Sequence, residues 1–169
     1  MSSSSLGFGH DVVSGIVPVD LATGANTGHR VHMANYGQIT WYGFLATGTA
    51  AQAPTFTLQE HTAASGGTSQ NLATIAEFFY KEEATLDGDE TWTRATQTAA
   101  ATVTDADWDD ANQVLVAIAQ VNAEDLSAGY AWVSINVADP GTAHIGCVFG
   151  VCEDLRIQRR PDRLADPNT

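Results

Sequence analysis

The sequence predicts an all-β protein, a single-domain β-sandwich or jelly roll. Short apolar or Thr-rich runs recur along the chain, separated by Gly, Asn, Asp and Pro, which is how a sheet protein is punctuated. Turn signals return roughly every ten residues, as in sandwiches, and no strand–helix–strand alternation appears. The 169 residues, 44% hydrophobic and 16% charged, suffice for one core and would be cramped as two domains.

The chain divides into an N-terminal arm (1–20), a β-sandwich domain (21–155) and a C-terminal tail (156–169). Val12 to Leu21 alternates loosely and carries Pro18, which cannot donate a ladder hydrogen bond and so suits an edge strand or an arm. Ala22 to Gly28 reads as a loop. Gln38 to Leu45, with Ile39, Trp41, Tyr42, Phe44 and Leu45, has the β-branched and aromatic surface of a strand. Pro54 to His61 alternates Phe56 and Leu58 with Thr55, Thr57 and Gln59, a strand with one wet face. A Ser/Gly loop follows at Ser65 to Ser69.

Asn71 to Ala84 fits two periods, since Leu72, Ile75, Ala76 and Phe79 fall at helical spacing while Ile75 to Tyr80 also suits a buried strand. The strand is preferred because its neighbours are β-patterned. Asp87-Gly88-Asp89 reads as a tight hairpin turn, with Thr91 to Thr98 returning. Ala99 to Asp110 reads as an exposed acidic loop around Trp108. Gln113 to Val121 is the most apolar run and the expected central strand. Glu124 to Gly129 turns the chain, Tyr130 to Val137 is a strand, Asp139-Pro140-Gly141 turns it again, and Ile145 to Leu155 is the last strand.

Charge narrows the partners. Seven Lys plus Arg against twenty Asp plus Glu give a net charge of -13, which repels a phosphate backbone and an anionic lipid surface alike. No nucleic acid or membrane partner is expected, and no run is apolar for the length a membrane-spanning helix needs. Such acidity also suits a salt-rich habitat, where surface carboxylates favour solubility. Met1 to Gly9 lacks the basic and apolar regions of a secretory signal, so export by that route is not expected. Four of the seven basic residues, Arg156, Arg159, Arg160 and Arg163, lie in the tail, balanced by Glu153, Asp154, Asp162 and Asp166. These arginines are the candidate partner contacts.

Several patterns invite chemistry. G-x-S-x-G, H-E-x-x-H and the phosphate-binding G-x-x-x-x-G-K-[ST] are absent, and Lys81 is the only lysine. Cys147 and Cys152, five positions apart in a strand, project to opposite faces and read as small packed residues. His29-x-x-His32 has the closest histidine spacing, but in a strand or loop it alternates faces. Asp105, Asp107 and Asp109 are candidates for a calcium site of loose pattern, since Asp110 and Val116 stand where a calcium loop needs Gly and a bidentate Glu. No cofactor is expected. Glu82-Glu83 and Asp87-Asp89-Glu90 place paired carboxylates near Trp92, an arrangement shared by glycosidases and by ordinary surface turns. Trp41, Tyr42, Trp92, Trp108 and Trp132 are candidates for a sugar-stacking platform, although most should be core.

Gly37 to Pro161 resembles virion structural proteins of tailed bacteriophages, of the head-decoration or minor capsid type. The resemblance lies in Thr91-Trp-Thr-Arg-Ala-Thr-Gln, Gln113-Val-Leu-Val-Ala-Ile-Ala, the segment from Tyr130 to Gly141, and the closing run from Gly150 to Pro161. It is one of strand texture and order, and carries no functional residue across. What it implies is a non-enzymatic subunit on the capsid surface, self-associated as a homo-oligomer, expected as a trimer, and bound to the major capsid protein. Two other readings stand beside it. One is a calcium-assisted carbohydrate- or ligand-binding module using an exposed Trp108 and the Asp105 to Asp110 loop. The other is a small hydrolase using Glu82, Glu83 or Asp89 with His61.

Overall fold

A computed structural model describes residues 5–48, 53–108 and 112–169. The protein is all-β. The strands run β1 (His10–Asp20), β2 (Val31–His32), β3 (Tyr36–Leu45), β4 (Phe56–His61), β5 (Ser69–Asn71), β6 (Ile75–Glu83), β7 (Thr93–Ala100), β8 (Thr102–Val103), β9 (Gln113–Asn122), β10 (Trp132–Val137) and β11 (Ile145–Leu155). They form two antiparallel sheets, a six-stranded one ordered β1-β11-β3-β9-β6-β7 and a second ordered β2-β10-β4-β5, with β8 also paired to β4. Helical structure is confined to single 3-10 turns, and no helix among the described residues is long and apolar enough to cross a membrane.

The core fills the space between the sheets. Ile39, Trp41 and Leu45 of β3 and Val114, Val116, Ile118 and Val121 of β9 face Phe56 and Leu58 of β4 and Val133, Ile135 and Val137 of β10, all buried. Burial of alternate side chains on two facing sheets is the main stabilising contribution in such a fold. Gly43 makes room for it, because a Cβ there would lie 2.9 Å from the Phe56 ring and 3.0 Å from Val116.

The structure departs from the sequence expectations in four places. Residues 10–20 of the expected arm pair with β11 and form the edge of the six-stranded sheet, so this segment belongs to the sandwich. Its register slips between Ser14 and Ile16 and again between Ile16 and Val19, and Pro18 falls in that irregular stretch. The start of the expected arm, 1–4, lies outside the described residues.

Asn71 to Ala84 resolves as β6, but Asp87-Gly88-Asp89 is no tight hairpin: the connection runs from 84 to 92, with Gly88 at φ 104. Ala99 to Asp110 is only partly an exposed loop. It contains the end of β7, the short β8 and a 3-10 turn at Ala106–Trp108, and Trp108 is 0% exposed. The indole meets Phe56, Phe78 and Tyr80 edge to face at ring separations of 6.1, 5.7 and 5.7 Å. The 3-10 turn sends this one large apolar side chain inward.

The tail folds back on the body. Arg156 N–H donates to the Asn35 carbonyl at 3.1 Å, Arg159 N–H to Gly7 at 2.9 Å, and His32 N–H to Pro167 at 2.8 Å. Leu164 packs against the core.

Candidate functional site

Reading outward from the core, the strands that alternate inward must present their other residues on the far side of the six-stranded sheet. In most one-sided sheets that face is polar. Here it is not. Register places Ser14, Phe149, Tyr42, Ala117, Phe79 and Arg94 in one row across the whole sheet. On one side of it run Val12, Val151, Thr40 and Gln120, and on the other Cys147, Phe44, Leu115 and Lys81.

Val12, Phe44 and Phe79 are exposed at 52%, 42% and 36%, while Tyr42, Phe149, Val151, Cys147 and Leu115 are half-buried by their neighbours. Tyr42 and Phe149 stack across the β3–β11 pairing. None of these residues is a carboxylate, and an acid on the same face of β6, Glu77, lies two positions from Phe79. Charge lies at their ends and flank: Glu153 pairs with Gln38 beyond one end, Asp20 with Ile145 and Glu83 with Gln113 beyond the other. Arg94 makes a 2.6 Å ion pair with Glu77 at the flank. An apolar centre with a polar margin is the anatomy of a protein–protein contact, and monomers rarely leave so broad an apolar patch in water.

Most sequence-predicted site residues do not converge. Asp105 is half-buried beside the 3-10 turn, with its carbonyl accepting from Trp108 N–H at 3.3 Å. Asp109, Asp110 and the side chain of Asp107 lie outside the described residues. His29 and His32 separate: the His29 ring meets Ser14 Oγ at 3.1 Å, whereas His32 stacks on Trp132 at 4.2 Å and meets the Thr169 carbonyl through Nδ1 at 2.8 Å. Cys147 and Cys152 are both free, one half-buried on the outer face and the other in the core. Burial raises both thiol pKa values. Arg156, Arg159, Arg160 and Arg163 are exposed on the docked tail, with Arg160 3.3 Å from Asp162.

The carboxylates near Trp92 do gather. Glu83, Asp87, Asp89 and Glu90 bring ligand oxygens within 4.8 Å of one another, the arrangement among the described residues suited to a hard cation. Desolvation, then the charges of Asp89, Asp87 and Glu90, raises the Glu83 pKa. Glu90 is held low instead, because the N–H groups of Gly88 and Asp87 donate to its carboxylate. The same hydrogen bonds tie the turn. Lys81 lies 5.4 Å from the centre of the exposed Trp92 ring.

His61 stands apart from these acids. It is 2% exposed in β4, with Nδ1 2.7 Å from Ser69 Oγ and Nε2 2.9 Å from Ser134 Oγ. Burial, then the nearby Arg30 charge, lowers its pKa to about 4. Its neighbour Glu60, 0% exposed, accepts from Gln70 Nε2 at 2.6 Å and Ser127 N–H at 2.8 Å. His61 ties β5 and β10 to β4 within the second sheet, and Glu60 ties β5 and the turn holding Ser127 to it.

An open groove of about 610 Å³ is lined by Ser14, His29, Arg30, Gly66 and Asp166, among others. The Arg30 guanidinium is committed to the Ala63 and Gly66 carbonyls, both at 2.7 Å. The sequence signal for the outer face lay in β3, β9 and β11, whose near-continuous apolar runs are typical of strands covered on both faces. Comparison with known proteins adds no relative: no family model matches the chain, and no curated protein does.

Proposed function

We propose that the protein is a non-enzymatic structural subunit of a tailed-phage virion, bound at the capsid surface to assembled major capsid protein and associated with copies of itself. The observation that carries this reading is the broad apolar face, its carboxylates confined to the ends and flank, on a chain of net charge -13. A surface of that kind serves association, and an association surface is what a shell subunit requires.

The physical role is stabilisation by mass action. A protein that binds the assembled lattice and not the free coat subunit shifts the equilibrium toward the lattice without any chemical step. The two-sheet body supplies rigidity. The exposed tail arginines supply a cationic contact for acidic neighbours, separate from the apolar face. The ligand-binding alternative loses the exposed Trp108 on which it relied, because that indole is a core residue.

Co-sedimentation tests the reading. Purified protein is mixed with assembled shells, or with unassembled coat protein, from tailed particles of the organism that encodes the chain. Saturable binding to shells alone is expected. Equal binding to both, or to neither, contradicts the role.

A further inference from the structure

We propose that a second copy of this chain covers the outer face of the six-stranded sheet, the two copies meeting face to face about a two-fold axis at the centre of the patch formed by Tyr42, Phe44, Phe79 and Phe149. The proposal rests on the reading of this face as an assembly surface and names its occupant.

The first argument is electrostatic. Two copies each carry -13, so most approaches bring carboxylate toward carboxylate. The residues of the three central rows include none; Glu77, two positions from Phe79 on the same face of β6, is held in a 2.6 Å ion pair with Arg94, and Asp20, Glu83 and Glu153 lie beyond the ends of the rows. Lys81 and the Glu77-paired Arg94 stand at one flank. An oppositely charged partner would be drawn to carboxylates over much of the surface, whereas a like-charged copy needs a face that lacks them.

The second argument is size. Six strands about 4.8 Å apart make a face roughly 25 Å wide, and three rows of side chains make it roughly 20 Å tall. That footprint of about 500 Å², with its side-chain relief and polar margin, approaches the ~800 Å² per partner of a stable interface. Half-buried Tyr42 and Phe149 give rigid relief at the centre, and exposed Phe44 and Phe79 project beside them.

The third argument is pattern. Around Tyr42, Phe44, Leu115, Cys147, Phe149 and Val151, β3, β9 and β11 are apolar on both sides, so this stretch has the composition of strands covered on both faces, while the second sheet covers one. Stacking a copy on the outer side completes the burial in the aligned sheet-on-sheet geometry, with the sheets about 10 Å apart. A single patch that meets itself closes at two copies, which replaces the trimer as the solution unit.

Sedimentation velocity on the full chain tests the pairing. At about 50 µM the expected mass is twice 17.8 kDa, with association strengthening as salt screens the like charges. Phe44→Glu and Phe79→Glu should each return the mass to 17.8 kDa with the melting temperature of the folded monomer retained. Ala73→Glu, in the exposed link between β5 and β6, should stay paired. A wild-type monomer, or a dimer that survives both glutamates, overturns the proposal. A monomer that still binds assembled shells overturns the pairing alone. A dimer split by the glutamates but indifferent to shells upholds the pairing and overturns the structural role.

Discussion

Tyr42 and Phe149 stack across the β3–β11 pairing, ring centres 5.4 Å apart and planes 18° from parallel, on the face turned away from the core. Two aromatics joined in this way on the outer side of a sheet already packed on its inner side mark that surface as built for contact. The stack also fixes the relief of the face, because each ring limits the rotamers of the other.

The core position of Trp108 gives the first prediction. Trp108→Ala removes a fully buried indole from contact with Phe56, Phe78 and Tyr80 and should cost about 3–5 kcal/mol. Trp92→Ala, at a side chain 46% exposed, should cost less than ~0.5 kcal/mol. Urea unfolding of the two variants checks the contrast. Equal losses would place Trp108 outside the core.

The second concerns pH. His61 is kept neutral in the folded state, with its pKa lowered from 6.5 to about 4, mainly by burial. The unfolded chain takes up a proton near 6.5 that the folded chain refuses until about 4, so stability is complete above the higher value and falls as pH drops between the two. His144, lowered in the same direction by burial, adds to the loss. Melting temperature against pH should fall through this window, and less steeply in His61→Gln. A melting curve unchanged over the window would contradict the burial of both rings.

Glu60 carries the third. Its buried carboxylate accepts from the Gln70 side chain and the Ser127 backbone N–H, so Glu60→Ala removes both hydrogen bonds and should cost about 1–3 kcal/mol. Hydrogen exchange at the Ser127 amide should accelerate in the variant beyond what global destabilisation explains. Unchanged protection there would show that the loop is held by other contacts.

The tail arginines give the fourth. Replacing Arg156, Arg159, Arg160 and Arg163 together by Ser should leave the melting temperature nearly unchanged, since their side chains are exposed and surface pairs such as Arg160–Asp162 contribute little. Under the proposed function, the same variant should lose saturable binding to assembled shells. Co-sedimentation reads the second effect and thermal unfolding the first.

Much of the fold was readable because burial writes a period-two pattern. Phe56 and Leu58 alternating with polar residues marked β4, and the β-branched run from Gln113 marked β9 as central. Trp108 was misread because its acidic neighbours dominate local composition, while a one-turn 3-10 element decides which way a single side chain faces. The edge position of β1 was legible through Pro18, but its pairing to β11 depends on a partner more than a hundred residues away, which local pattern does not encode. The outer face was hidden for a related reason. A continuous apolar strand reads as buried on both sides, and only the sheet order shows that the second sheet covers one of them.

Imaging of native tailed particles from the organism that encodes this chain tests the central claim most directly. The account predicts copies of the two-sheet body at regular positions on the capsid surface, each with its tail toward the coat. Particles whose every surface density is filled by other chains, with this protein left in the soluble fraction, would contradict it.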